Sequence, residues 1–292
     1  MTSRRVAVSE ATERLREAGV ASPEHDAAEL LAHVLGTTRG NLALVDEVPA
    51  DRLGEYDALV ARRAAREPLQ HLTGTAYFRH VELAVGPGVF VPRPETELLA
   101  GWAIEACHQW SSRRSHEGAT ASRDPVVVDL CTGSGAVAKA IADEVPAATV
   151  HAVELDGPAY VWAERNLAGT GVDLREGDMA TAFDDLAGTV DVVTCNPPYI
   201  PLDAWESVAP EARDHDPHLA LFSGADGLDA IRVLEHRAAL LLKAGGVVGF
   251  EHADVQGESA PAVFSATGRW TDVRDHADLA GRARFTTARL AR

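Results

Sequence analysis

The chain has 292 residues, 46% of them hydrophobic and 24% charged, which suits a soluble globular protein with a sizeable core and room for two domains. Its formal net charge of −17 argues against a long nucleic-acid footprint, because such binding is mostly phosphate neutralisation by Lys and Arg. Cys107, Cys131 and Cys195 lack disulfide or metal-ligand spacing, no apolar run is long enough to span a bilayer, and the N-terminus lacks a signal-peptide apolar core. A reducing, cytoplasmic setting is therefore expected.

From residue 4 to about 72 the pattern is helical. Ser22 ahead of Pro23 has the form of an N-cap with proline at the first helical position. The following stretch places Ala27, Leu30, Leu31 and Val34 on one face and stops at Gly36. A third helix, "ADRLGEYDALVARRAARE", ends before Pro68. Residues 1–72 are accordingly expected to form a small helical bundle. Residues 73–93, with apolar and polar positions alternating about "GPG", predict a β-hairpin linker. Residues 94–292 form the expected second domain, opening with a helix at "PRPETELLAGWAIEAC". The polar, aperiodic segment from Ser111 to Asp124 is expected to be a mobile surface connection.

Beyond it the chain alternates strands and helices. Strands are predicted at "PVVVDL", "ATVHAVEL", around "VDLREGD", and at "VDVVTC", "GGVVGFEH" and "RFTTARL". Short, nearly all-apolar strands separated by helices predict an α/β fold with a mainly parallel sheet covered on both faces.

In "VVVDLCTGSGAVAKAIA" a strand passes through a glycine turn into a helix. Gly133, Gly135 and Ala138 fit the nucleotide-fold turn, and Glu154 follows about twenty residues on, where a carboxylate meets ribose hydroxyls. A tight turn without ligand is the bland alternative. The turn residues Cys131, Thr132, Gly133, Ser134 and Gly135, with Glu154, are candidate nucleoside contacts. NAD would seat a pyrophosphate at the helix N-terminus. S-adenosylmethionine carries a sulfonium instead, and Asp129, just ahead of the turn, suits its cationic tail better than a pyrophosphate.

"VDVVTC" then delivers Asn196 to the same rim. Pro197 and Pro198 fix the backbone and remove two N–H donors, leaving carbonyl acceptors beside the Asn196 oxygen. Tyr199 adds a flat ring. Such a rigid acceptor pair beside a stacking surface suits a planar –NH2 group. A capping asparagine followed by loop prolines is the alternative reading.

The motif N-P-P-Y after the fourth strand resembles that of methyltransferases acting on nitrogens conjugated to a π-system. "VFVPRPETELL" (89–99), "DLCTGSGAVA" (129–138), "AVELD" (152–156), "NPPYIP" (196–201), "HDPHLALFSGADGLD" (215–229), "FEHADVQGES" (250–259) and "DLAGRARF" (278–285) together resemble the release-factor glutamine methyltransferase family, HemK/PrmC. "PRPETE" discriminates against the related family acting on a ribosomal protein. The resemblance implies a Rossmann-like class I methyltransferase sheet, mainly parallel with an antiparallel C-terminal strand, behind an N-terminal helical bundle, residues 1–72, that docks the substrate. It implies S-adenosylmethionine as cofactor and the glutamine of the Gly-Gly-Gln loop of class-1 peptide release factors as substrate, handled by a monomer that binds neither membrane nor nucleic acid. Asn196, Pro197 and Tyr199 would be catalytic and, with Pro198, would hold the substrate. Asn196 would also border the cofactor.

The resemblance places Asp178 and Met179 against the adenine, although some relatives carry an aromatic residue at the latter position. Cys131 stands where the family usually has glycine, so a positive φ there would strain the turn. Pro94, Glu95, Thr96 and Glu97 read equally as a helix start and as a border of the cofactor. His215, His218 and His252 lack metal-site spacing. Arg282, Arg284, Arg289 and Arg292 read as a solvated strand edge. An adenine methyltransferase acting on nucleic acid remains the alternative, and a nicotinamide oxidoreductase or plain nucleotide-binding module would leave N-P-P-Y without a task.

Overall fold

A computed structural model describes residues 2–116 and 124–291. They fall into two compact units. One comprises Met1–Thr75, Val85–Pro87 and Ala209–His215, and the other Ala76–Ala84, Gly88–Val208 and Asp216–Arg292.

In the first unit, β1 (Thr2–Ser3) leads into α1 (Arg4–Glu17) and α2 (Pro23–Val34), and β2 (Glu47–Val48) precedes α3 (Ala50–Ala64) and α4 (Leu69–Thr73). The predicted face Ala27, Leu30, Leu31 and Val34 is buried and meets Leu15, Tyr56 and Val60 in one apolar cluster. Full burial of a leucine or valine in this cluster contributes about 1.5–3 kcal/mol. The buried Tyr56 hydroxyl donates to the Ala27 carbonyl at 2.9 Å, which joins α3 to α2. Ser22 occupies the N-cap of α2 as expected and Pro23 its first turn, but the Ser22 side chain makes no capping bond. The short β1–β2 ladder, Thr2 opposite Val48, is an element the helical pattern did not announce.

The hairpin consists of β3 (Thr75–Phe78) and β4 (Val81–Ala84). Its turn is Arg79–His80, with Arg79 at φ 51°, and not "GPG", which follows the second strand. The alternating pattern located the strands, while the glycines pointed to the wrong turn. Helix α5 spans Thr96–His116, so it runs into the stretch expected to be an irregular connection. The remainder of that expectation falls on 117–123, which lie outside the described residues.

Then come β5 (Val126–Leu130), α6 (Ala136–Glu144), β6 (Thr149–Glu154), α7 (Gly157–Leu167), β7 (Asp173–Glu176) and β8 (Val190–Cys195). Helix α8 (Pro210–His215) belongs to the helical unit, and α9 (His218–Leu221), α10 (Asp229–Leu241), β9 (Leu242–Glu251), α11 (Ser259–Ser265), β10 (Trp270–Ala277) and β11 (Ala283–Leu290) complete the chain. The seven-stranded sheet has the order β10-β11-β9-β8-β5-β6-β7. β9, β8, β5, β6 and β7 are parallel, and β11 runs antiparallel to both β9 and β10.

Every residue of β5 and β8 is buried, as expected of strands covered on both faces. Helix α5 lies against β8 and β9. Its approach depends on Gly249, where a Cβ would come within 2.4 Å of the Trp102 ring. After β5 the chain proceeds outward through β6 and β7, whereas β8 and β9 lie on the other side. The topological switch therefore falls between β5 and β8, where the carboxyl ends of an open sheet form a binding crevice. Among the described residues no helix is long and apolar enough to cross a membrane.

Candidate active site

Two loops leave the sheet at this switch. Leu130 pairs with Cys195, so the glycine turn from Cys131 and the motif from Asn196 start at adjacent positions on neighbouring strands. The parallel register also sets Leu130 beside Val153, bringing Glu154 to the other flank of the turn.

The turn is held from below by a buried carboxylate. Asp129, 2% exposed, accepts the Thr132 hydroxyl at 2.6 Å and the Thr194 hydroxyl at 2.7 Å, tying β5, the turn and β8 together. Burial pushes its carboxyl up to about 6, partly offset by those two hydroxyls and the Ala138 amide. Thr132 and Ser134 are themselves buried. Cys131, Gly133 and Gly135 have φ of 55°, 56° and 83°. Glycine is needed at 135 for space as well, since a Cβ there would meet Leu167 at 3.0 Å, whereas one at Gly133 would meet nothing within 4 Å. Cys131 thus adopts the left-handed conformation that strains a non-glycine residue by about 1–2 kcal/mol. Its Sγ lies 3.5 Å from Met179 Sδ.

Glu154 ends β6 with its carboxylate turned onto the backbone. Oε2 accepts the Gly133 amide at 2.7 Å, and Oε1 accepts the Leu155 and Asp156 amides at 2.9 Å each. Burial raises its pKa, and those amides pull it back. Asp178 is exposed beyond β7 and accepts the Ala180 amide at 2.8 Å, with Met179 half-buried against the sheet core.

At Asn196 the strand stops, because Pro197 has no N–H with which to continue the ladder. Pro197 is buried, whereas Asn196, Pro198 and Tyr199 are half-buried. The loop is pinned just afterwards by the pairing of Ile200 with Phe222. Gln256 Nε2 donates to the Tyr199 carbonyl at 3.0 Å. Gly227 packs so closely that a Cβ would lie 2.2 Å from that same oxygen.

Behind the motif stands Glu251, at the end of β9 and 2% exposed. Oε1 accepts the Tyr199 hydroxyl at 3.0 Å and Oε2 accepts the Thr96 hydroxyl at 2.6 Å. Thr96 in turn faces Asn196 Nδ2 at 3.4 Å. Burial raises the Glu251 carboxyl, while the two hydroxyls and the charge of Arg284 act to lower it.

The structure thus gathers the turn residues, Glu154, Met179 and the whole N-P-P-Y motif at one crevice. Thr96 belongs with them, although its sequence context read equally as an ordinary helix start. Glu251, Gln256, Gly227 and Asn166 were not singled out from sequence. Asn166 Nδ2 donates to the Ser134 carbonyl at 2.9 Å, bracing the turn from α7. The only pointer to the first three was their place in "FEHADVQGES" and "FSGADGLD". His218 packs edge-on against Trp205 at 4.8 Å, and His252 Nδ1 lies 3.0 Å from the Ala253 carbonyl, each with a local structural partner.

Comparison with known proteins identifies relatives over nearly the whole chain. Residues 7–74 match the PrmC N-terminal domain and residues 127–215 a methyltransferase domain. A release factor glutamine methyltransferase from Streptomyces coelicolor is 57% identical over 97% of this chain and 97% of its own. A Streptomyces pristinaespiralis protein named 4-amino-L-phenylalanine/4-methylamino-L-phenylalanine methyltransferase is 44% identical over 91% of this chain and 88% of its own. Among solved structures, the hMettl16 catalytic domain in complex with a 3'UTR hairpin shares the fold, with a TM-score of 0.53 at 12% identity, covering 72% of this chain and 75% of that one. Near-complete alignment at 57% identity, with the turn and N-P-P-Y meeting at the switch point, places the chain in the release factor glutamine methyltransferase family.

Proposed function

We propose that this chain transfers a methyl group from S-adenosylmethionine to the side-chain amide nitrogen of the glutamine in the Gly-Gly-Gln loop of class-1 peptide release factors. The carrying observation is the position of Asn196 and Pro197: a stiff acceptor pair at the end of β8, directly beside the β5 turn. S-adenosylmethionine, when bound, supplies an electrophilic methyl group on a positively charged sulfur.

The residues present fit that cofactor. Space above Gly133 is open, Asp129 and Glu154 are the charged groups around the turn, and no Lys or Arg lies between Asp129 and Ala138 to meet a pyrophosphate. Glu154 would face the ribose, Met179 and Asp178 the adenine, and the turn from Cys131 to Gly135 the amino-acid tail, with the buried Asp129 acting from beneath by holding Thr132. Asn196 would border both ligands.

An amide nitrogen is a poor nucleophile because its lone pair is delocalised into the carbonyl. Asn196 Oδ1 and the Pro197 carbonyl accept its two hydrogens and hold the lone pair toward the reacting carbon. They also stabilise the positive charge that grows on nitrogen, which then releases one proton to solvent. This is orientation plus electrostatic preorganisation, with no strong base required. Tyr199 and Pro198 pack about the amide stem. The protein works as a cytoplasmic monomer, with the helical residues 1–72 docking the release factor and residues 94–292 carrying the chemistry.

Purified protein is incubated with labelled S-adenosylmethionine and, separately, a class-1 release factor, nucleic acid and 4-aminophenylalanine. Label is expected in the release factor alone, on its Gly-Gly-Gln peptide. Asn196→Ala is expected to lower single-turnover transfer about 100- to 1,000-fold while cofactor affinity stays nearly unchanged, the scale of one preorganised contact. Label in nucleic acid or the aryl amine, with none in the release factor, overturns the substrate assignment.

A further inference from the structure

The acceptor role of Asn196 requires its Oδ1, not its Nδ2, to face the substrate. An asparagine amide is nearly symmetric in shape, so packing alone does not choose between the two ends. At 3.4 Å, the contact between Asn196 and Thr96 is also too long to decide by distance. The choice is made one step further back.

We propose that Glu251 sets the direction of the hydrogen-bond chain through Thr96 to Asn196, so that Thr96 and Glu251 are positioning residues that turn Asn196 Oδ1 toward the substrate amide. The inference rests on the acceptor role given above to Asn196.

An ionised carboxylate has no proton to give, so in the 2.6 Å contact the Thr96 hydroxyl must donate to Glu251 Oε2. That hydroxyl has one hydrogen. Having spent it on Glu251, Thr96 Oγ1 offers only lone pairs to Asn196, and the asparagine atom that satisfies it is the N–H donor Nδ2. Oδ1 then occupies the opposite branch of the amide, away from Thr96. Two features favour Glu251 as an acceptor against the burial that raises its pKa. The Tyr199 hydroxyl donates to Oε1 at 3.0 Å, and the Arg284 charge favours the ionised form. One buried carboxylate therefore holds both ends of N-P-P-Y, Tyr199 directly and Asn196 through Thr96. Both Thr96 and Glu251 are buried, so water does not compete for these bonds.

Substitution separates direction from bulk. Thr96→Val keeps the shape and removes the hydroxyl. Thr96→Ser keeps the hydroxyl and removes a methyl. Glu251→Gln leaves a single acceptor oxygen for two hydroxyl donors; with its N–H turned toward Thr96, the Thr96 proton is released to face Asn196.

Each variant, with Asn196→Ala alongside, is measured for kcat and for KM of S-adenosylmethionine with a release factor as substrate. Thr96→Val and Glu251→Gln are expected to lose about 10- to 100-fold in kcat, the scale of a misdirected buried hydrogen bond. Their KM for the cofactor should stay within about twofold, and Thr96→Ser should recover kcat to within about threefold of wild type. Thermal melts report folding independently. If Asn196→Ala is inactive but Thr96→Val retains wild-type kcat, the directional chain is overturned and the role of Asn196 stands. Equal losses in Thr96→Val and Thr96→Ser also overturn it, by assigning the effect to packing. A fully active Asn196→Ala removes the acceptor reading itself.

Discussion

Cys131 shows how a single residue trades backbone comfort for contact. Its φ of 55° belongs to the left-handed region, yet its sulfur lies against Met179. The strain is testable apart from that contact by comparing two variants that both lack it. At ordinary positions alanine stabilises a chain relative to glycine by about 0.4–1 kcal/mol, through the unfolded state. At residue 131 the order should invert, with Cys131→Gly more stable than Cys131→Ala by about 1 kcal/mol in denaturant titration. If alanine proves the more stable, the turn does not hold residue 131 in this conformation. Residues of this kind mark the limit of a sequence reading. The run from Asn196 to Tyr199 was legible because its chemistry is local: two prolines remove donors whatever the rest of the chain does. Thr96 and Glu251 were not, because they meet across 155 residues and each looks ordinary in its own segment. The sign of φ at Cys131 was likewise open until the turn was seen.

Among the elements, buried strands were the easiest to find and exposed ones the hardest. β5 and β8 are apolar throughout and stood out, whereas β10 was missed: only Trp270 is buried, and Asp272, Arg274 and Asp275 give it a charged, loop-like composition. It exists because β11 supplies its ladder, a long-range partner that composition does not report. Helix α8 is similar, being six residues long and stabilised by charges from elsewhere in its unit. Glu211 accepts from Arg63 at 2.9 Å and from Arg66 at 2.8 and 2.7 Å. Burial works to raise its pKa, but the two guanidinium groups outweigh that and hold it down at about 2. A carboxyl whose folded pKa is depressed stabilises the fold above its unfolded pKa, and that contribution is lost as pH falls through the folded value. Glu211→Gln should therefore be less stable than wild type at neutral pH, and the gap should close as pH drops from the ordinary carboxylate range toward 2. Thermal unfolding followed across that window checks it, and a gap independent of pH would mean that Glu211 contributes shape and not charge.

At the scale of the molecule, the decisive quantity is charge. The proposed acceptor pair would suit an adenine amino group as well as a glutamine amide, so the site by itself does not exclude nucleic acid. What argues against it is the −17 formal charge and, among the described residues, the pairing of Arg282, Arg284 and Arg289, Arg292 lying outside them. Arg282 and Arg284 both pair with Asp278, at 3.3 and 3.1 Å, and Arg289 donates to the Gly245 carbonyl at 2.8 Å. Each of these three arginines thus has a partner within the protein. Nucleic-acid affinity grows with the number of phosphates neutralised, and each lost contact removes a counterion-release contribution. Excess duplex DNA or RNA at physiological salt is thus expected to leave the rate of release-factor labelling within about twofold of its value without competitor, since few phosphates are neutralised. The comparison is made at low substrate, where a competing polyanion has its largest effect on the measured rate. Strong inhibition at stoichiometric RNA, relieved by added salt, would reveal a basic surface that the net charge conceals and would return the adenine reading to contention.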